Sequence, residues 1–414
     1  MAHNNFVINT PAPNVSFFTP AQEIPAGTAI DPQPSGKPIP TLFQPLKIRG
    51  VEFQNRIFLA PLCQYSADDG KPTSWHLAHL GGIFKRGPGL SFVEATAVLS
   101  EGRITPQDAG IWSDDHIEPW KHIVDFAHSQ NQKIGIQLAH AGRKASTVAP
   151  WLNRGLAASE IDGGWPDNVF GPSAIQYNEG FPHPQELTKA GIKGVVRAFV
   201  DAARRSLKAG FDVIEVHAAH GFLLNEFLTP ISNTRTDEYG GSFENRIRLL
   251  IEVVDAVRAV IPATMPLFVR VSATDYLDEV FPNEAWRLED TVRLAAILAE
   301  HGVDLIDVSS GGVHPAQKLK SAPFATQVPL SRAIRAANGE KILVGAVGGI
   351  TTGQYAQEIL DEGSADVIFV GRQFQKDPSA VWTFARDLGV SVTVAHQIEW
   401  VFAGRGSGGK RTGV

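Results

Sequence analysis

The 414-residue chain holds a single cysteine. That excludes a disulfide scaffold, a zinc site built on several thiolates and a cysteine-ligated iron–sulfur cluster. No run approaches the roughly 18 consecutive apolar residues of a membrane span. Excess positive charge is also missing. Lys and Arg number 37 against 43 Asp and Glu, a formal charge of −6, so nothing draws the whole chain to nucleic acid or an anionic membrane. The opening MAHNNFVINTPAPN has neither the charged nor the apolar region of a secretory leader. A cytoplasmic protein is expected.

What is present is an alternation. Eight short apolar or β-branched runs recur: RIFLAPL from Arg56, LSFVEATAV from Leu90, KIGIQLAH from Lys133, FDVIEVHAA from Phe211, PLFVRVSA from Pro266, VDLIDVSSG from Val303, KILVGAVGG from Lys341 and ADVIFVGR from Ala365. Their centres are nearly continuous hydrophobic stretches, as in strands buried on both faces of a parallel sheet. Between them lie helical patterns. Ile192, Val195, Val196, Phe199 and Ala203 share one face of a helix that Gly210 would stop, and Ile247, Leu250, Val253, Val254 and Val257 share another. This predicts an α/β fold, a single (β/α)8 TIM barrel, over a doubly wound sheet, because no G-x-G-x-x-G follows strand one.

Three segments flank or interrupt the barrel pattern. Residues 1–40 carry eight of the 27 prolines and read as an arm or linker, 41–403 as the barrel, and 404–414 as a flexible glycine-rich basic tail. Gly404, Gly409 and Lys410 have phosphate-loop spacing, but Arg411 replaces the Ser or Thr and no helix can follow. From Ala139 to about Leu187 the connection after strand three is too long for bare coil, and a hairpin excursion is expected.

A barrel places chemistry at the C-terminal ends of its strands, with a phosphate after strands seven and eight. Those two strands end in Gly348-Gly349 and Gly371-Arg372, glycines for close backbone approach and a charged fork. Gln137 and Arg270 offer donors suited to a carbonyl-rich planar ring, and Glu215 is a candidate partner for Arg270. His217 and His220 end strand four. They could donate hydrogen bonds to one substrate oxygen or, with a third ligand, hold a metal. Tyr65 could bind substrate or be structural. Cys63 could be a small buried hydrophobe or a sulfur tuning a redox centre.

Six motifs carry a resemblance. They are HAAHGFLLNEFLTPISNTRTDEYGGSFENR from His217, NRIFLAPLCQYS from Asn55, RITPQDAGIWSDDHI from Arg103, GIQLAHAGRKAS from Gly135, FVRVSATDY from Phe268 and DVIFVGR from Asp366. Over about residues 42–377 the chain resembles the Old Yellow Enzyme family of flavin-dependent ene-reductases, in its bacterial, thermophilic-like branch.

The resemblance implies noncovalent FMN held by Ala60, Pro61, Leu62, Cys63, Ala95, Gln137, Arg270, Gly348, Gly349, Gly371 and Arg372, with no metal. It implies His217 and His220 as donors to the substrate oxygen, Tyr65 as a further substrate contact, Cys63 beside the flavin and Lys144 lining the mouth. The implied reaction is ping-pong: NADPH or NADH reduces the flavin, which then delivers hydride through N5 to the C=C bond of an α,β-unsaturated carbonyl compound. Small-molecule enones and nicotinamide are the partners, and a homodimer is plausible within the branch. Two departures stand out. Phe222 occupies the position of the family's usual proton-donating tyrosine, which leaves Tyr65 or water as donor. Arg405 is out of register with the tail arginine that close relatives insert into a neighbouring subunit. The alternatives are a metal-dependent barrel hydrolase or aldolase using His217 and His220, and a catalytically impaired flavin-binding scaffold.

Overall fold

The computed structural model describes residues 8–317 and 327–403. The expectations for the tail at 404–414, including Arg405 and the phosphate-loop spacing, lie outside those residues. Eight parallel strands close a barrel. They are β1 (Ile57–Leu59), β2 (Leu90–Ala97), β3 (Ile134–Ala139), β4 (Val213–Ala218), β5 (Leu267–Ser272), β6 (Leu305–Ser309), β7 (Leu343–Val347) and β8 (Val367–Val370). Each neighbours its sequence successor, and β8 pairs with β1, Phe369 opposite Phe58. All eight expected strands form where the apolar runs placed them.

Helices α1 (Ser74–Phe84), α2 (Ile117–Ser129), α3 (Lys189–Ala209), α4 (Phe243–Arg258), α5 (Leu288–Glu300), α6 (Val328–Asn338), α7 (Gly353–Asp361) and α8 (Ala380–Leu388) surround the barrel. The long α3 shows why they form. The Thr188 hydroxyl accepts from Gly191 N–H at its start, Gly210 ends it at φ 93°, and Ile192, Val195 and Phe199 face the core. Such a cap contributes about 1 kcal/mol. Among the described residues no helix is long and apolar enough to cross a membrane.

Strand alternation stacks the interior in layers. Val213, Phe268 and Leu305 fill the bottom with Phe58, Phe92 and Phe369. Two residues further along the same strands come Glu215, Arg270 and Asp307, then His217, Ser272 and Ser309 at the mouth. The intervening residues, such as Ile214, Val269 and Ile306, face outward into the core shared with the helices. A dry aromatic plug thus supports a polar layer, and the polar layer supports the mouth.

The proline-rich arm packs from residue 19 to 33 on the opposite end. Gly27 N–H donates to Thr393 O, Ile30 N–H to Ser391 O, and Asn55 Nδ2 to Gly27 O. The excursion after β3 differs from the expected hairpin. Its strand pair, Phe170–Gly171 with Gln185–Glu186, is two residues long and parallel. With no alternating run to support a ladder, the loop is held by single backbone bonds, such as Val148 N–H to Leu156 O, together with side-chain bonds: Trp165 Nε1 donates to Glu101 O, and Ser146 Oγ accepts from Trp165 N–H.

Candidate active site

Three residues at strand ends sit in the left-handed region without being glycine: Tyr65 (φ 51°) after β1, His220 (φ 62°) after β4 and Tyr276 (φ 56°) after β5. Each such conformation costs on the order of 1 kcal/mol and persists where the surroundings enforce it. The His220 surroundings are explicit. Its N–H donates to Ser272 Oγ, its carbonyl accepts from Lys144 Nζ at 2.8 Å, and its Nε2 lies 2.5 Å from Ser309 Oγ.

His217 is buried, and its Nδ1 accepts from Ala219 N–H at 3.2 Å. The two imidazoles meet edge to face with centroids 5.2 Å apart. Burial, reinforced by Arg270 and Lys144, holds both far below the usual histidine range, so both are neutral near pH 7. A neutral ring carries one N–H. With Nδ1 of His217 accepting, its proton is on Nε2. With Nε2 of His220 facing the Ser309 hydroxyl, its free nitrogen is Nδ1. That leaves His217 Nε2 and His220 Nδ1 as the ring nitrogens with no hydrogen-bond partner among the described residues. Among the described residues no group of three or more His, Cys, Asp or Glu side chains gathers that could hold a metal.

Beneath them lies the polar layer. Gln137 Nε2 donates to Glu215 Oε1 at 2.7 Å, and Arg270 Nε sits 3.0 Å from Asp307 Oδ2. This corrects the expected Arg270–Glu215 pair. Arg270 lies in register with Asp307 on β6, whereas Glu215 is in register with Gln137 on β3. Burial and then the Asp307 charge push the Glu215 carboxyl up, and burial raises Asp307 against the pull of Arg270. The layer therefore carries less negative charge than its two carboxylates suggest, and Arg270 keeps net positive character toward the mouth.

The loop after β1 carries Ala60, Pro61, Leu62, Cys63 and Tyr65. It is pinned by Glu94, whose Oε2 accepts from Gln64 N–H at 2.9 Å while Oε1 pairs with His76 Nε2 at 2.9 Å. Glu94 was visible in the sequence as a carboxylate ending strand two, next to Ala95, but nothing there showed its partner. Burial, then Asp108 and Glu94, push the Cys63 thiol well up, so it is a neutral S–H group. The same causes keep the Tyr65 phenol protonated. Its ring packs edge to face on Trp151, centroids 5.6 Å apart.

At β7, Gly348 and Gly349 adopt φ 101° and 70°, and a Cβ on Gly348 would lie 1.6 Å from Gln327 Oε1. Gly371 caps a short helix, Arg372–Lys376, and Arg372 is exposed. Phe222 lies 5.0 Å from the His217 ring, with Lys144 Nζ 5.8 Å above it. The aromatic Tyr177, which the sequence did not single out, lies 4.3 Å from Lys144 Nζ. Tyr177 comes from the excursion, whose irregular spacing hid it.

These residues fit FMN. Gln137 and Arg270 supply a neutral and a cationic donor suited to an electron-rich ring edge, and two strand ends carry a glycine cradle beside Arg372, which has no side-chain partner among the described residues. The fold and site define a flavin-binding (β/α)8 oxidoreductase. Residues 41–389 match the NADH:flavin oxidoreductase / NADH oxidase family. An NADH:flavin oxidoreductase of Gibberella zeae is 56% identical over 97% of this chain and 98% of its own. An NADPH dehydrogenase of Geobacillus sp. is 46% identical over 87% and 99%. The structure of an old yellow enzyme homologue from Zymomonas mobilis superposes with TM-score 0.68 at 30% identity, covering 86% of this chain and 95% of that one. Morphinone reductase gives TM-score 0.69 at 27% identity, covering 86% and 91%. The chain belongs to this family, that of the Old Yellow Enzymes, and is an FMN-dependent, nicotinamide-linked oxidoreductase.

Proposed function

We propose that the protein reduces the C=C bond of α,β-unsaturated carbonyl compounds at the expense of NADPH or NADH. The observation that carries this reading is the imidazole pair, two neutral rings each with one free nitrogen at the mouth. When bound, FMN would supply the hydride chemistry between nicotinamide and alkene. The protein's residues would do the rest. Gln137 and Arg270 would hold the flavin's carbonyl edge. Gly348, Gly349, Gly371 and Arg372 would hold its phosphate, with Ala60, Pro61, Leu62, Cys63 and Ala95 lining the ring.

His217 Nε2–H and His220 Nδ1–H grip the substrate carbonyl oxygen. As the alkene is reduced, negative charge grows on that oxygen, and two fixed donors stabilise it without reorganisation. Phe222 cannot supply the α-carbon proton. Tyr65 can, since burial keeps its phenol in the donor form. Membership of a flavin-dependent family favours this reading over the metal-dependent one.

The test is stopped-flow spectroscopy of the holoenzyme. Anaerobic NADPH and NADH are each expected to bleach the flavin, and cyclohexenone or N-methylmaleimide to restore it. A reduced enzyme that no enone reoxidises would favour the impaired scaffold and overturn the proposal.

A further inference from the structure

Resting on that reading, we infer that Trp151 forms an outer subsite for an aryl or similarly flat apolar substituent on the enone. Trp151 is 67% exposed, and its neighbour Leu152 is 70% exposed. Leu156, in the same turn, is 47% exposed, so the turn presents three large apolar side chains to solvent, a grouping that marks an interaction surface where a single scattered residue would not. Trp151 does not hang free. Its ring abuts Tyr65, the residue that closes the loop after β1 at φ 51°. Tyr65 in turn has its phenol held neutral and partly buried, so its ring joins the interior of the mouth to the exposed indole outside.

The depth profile of the mouth selects the ligand. Its floor offers hydrogen-bond donors from His217 and His220. Its rim offers the aromatic surface of Trp151. A compound that satisfies both ends has a carbonyl head and a flat apolar tail. The excursion supports this placement from behind. Val148 N–H donates to Leu156 O, and Thr147 bridges Ala157 in antiparallel fashion, so the segment bearing Trp151 is a closed turn anchored at both ends.

The experiment compares N-phenylmaleimide with N-methylmaleimide as oxidants of the holoenzyme, in the wild type and in Trp151→Ala and Trp151→Phe. An aromatic contact of about 1 kcal/mol corresponds to about a fivefold change. The ratio of kcat/KM for the phenyl over the methyl compound is expected to fall about fivefold in Trp151→Ala and to recover in Trp151→Phe. A ratio that does not move while the wild type reduces both compounds overturns the subsite alone. A rise in the apparent Kd for NADPH during flavin reduction, with the ratio unmoved, also overturns it and assigns the indole to the dinucleotide. Failure of the wild type to reduce either maleimide overturns the ene-reductase reading and the subsite with it.

Discussion

Replacing Ser309 by alanine tests how the imidazole pair is set. Ser309 Oγ lies 2.5 Å from His220 Nε2. His220 is neutral, so it owns one ring proton. If the Ser309 hydroxyl donates to Nε2, that proton is on Nδ1, and Nδ1–H faces the substrate oxygen. Removing the hydroxyl frees the ring to place its proton on either nitrogen, and only one tautomer can donate. A hydrogen bond of this kind contributes about 1 kcal/mol net, which corresponds to about a fivefold shift in the ratio of the two tautomers and so at most about a fivefold drop in the productive one. Losing the donor altogether in His220→Ala costs far more, on the order of 10²- to 10³-fold. The assay is the enone-dependent reoxidation rate of the prereduced holoenzyme. Ser309→Ala is expected slower by about twofold to fivefold, with Ser309→Thr restoring the rate because it keeps a hydroxyl. Nitrogen-15 spectra of the wild type report the tautomer directly. A proton on Nε2 of His220, or an unchanged rate in Ser309→Ala, refutes the reasoning.

Phe222→Tyr puts a phenol beside His217, 5.0 Å away by ring centroid. Enone reoxidation is expected to quicken by about tenfold or more, since a positioned acid is worth roughly 10²- to 10⁴-fold, while flavin reduction by NADPH stays as it was. Gly348→Ala forces a side chain into φ 101° and onto Gln327. Strain of about 1–2 kcal/mol should lower the Tm and weaken FMN retention on gel filtration. Asp108 gives a pH prediction. Burial, then Glu94, raises its carboxyl from 3.8 to about 7. The folded state therefore binds a proton that the unfolded state has lost across that interval, and the carboxyl's destabilising effect grows from pH 4 and is complete above pH 7. The Tm of Asp108→Asn minus that of the wild type should rise between pH 5 and pH 8, and a flat or falling difference counts against a buried, raised carboxyl.

The barrel was legible because its signal is local. A strand buried on both faces must be apolar at successive positions, so β4 and β5 announce themselves wherever their partners lie. The strand ends were legible for the same reason, since a barrel's chemistry follows each apolar run. Partner choice was not. Arg270 has His217 in register on one side and Asp307 on the other, with Glu215 two residues back along β4. Three candidates lie within one side chain's reach, and the ladder's stagger decides among them, a quantity no single strand contains. The rim was illegible for a different reason. Trp151 and Tyr177 sit in a loop fixed by isolated backbone and side-chain bonds, where no period constrains which residue faces the mouth. The deep donors at the mouth follow from the strands and are shared by the fold's logic. The aromatic rim, by contrast, falls where the chain has no repeating pattern to read.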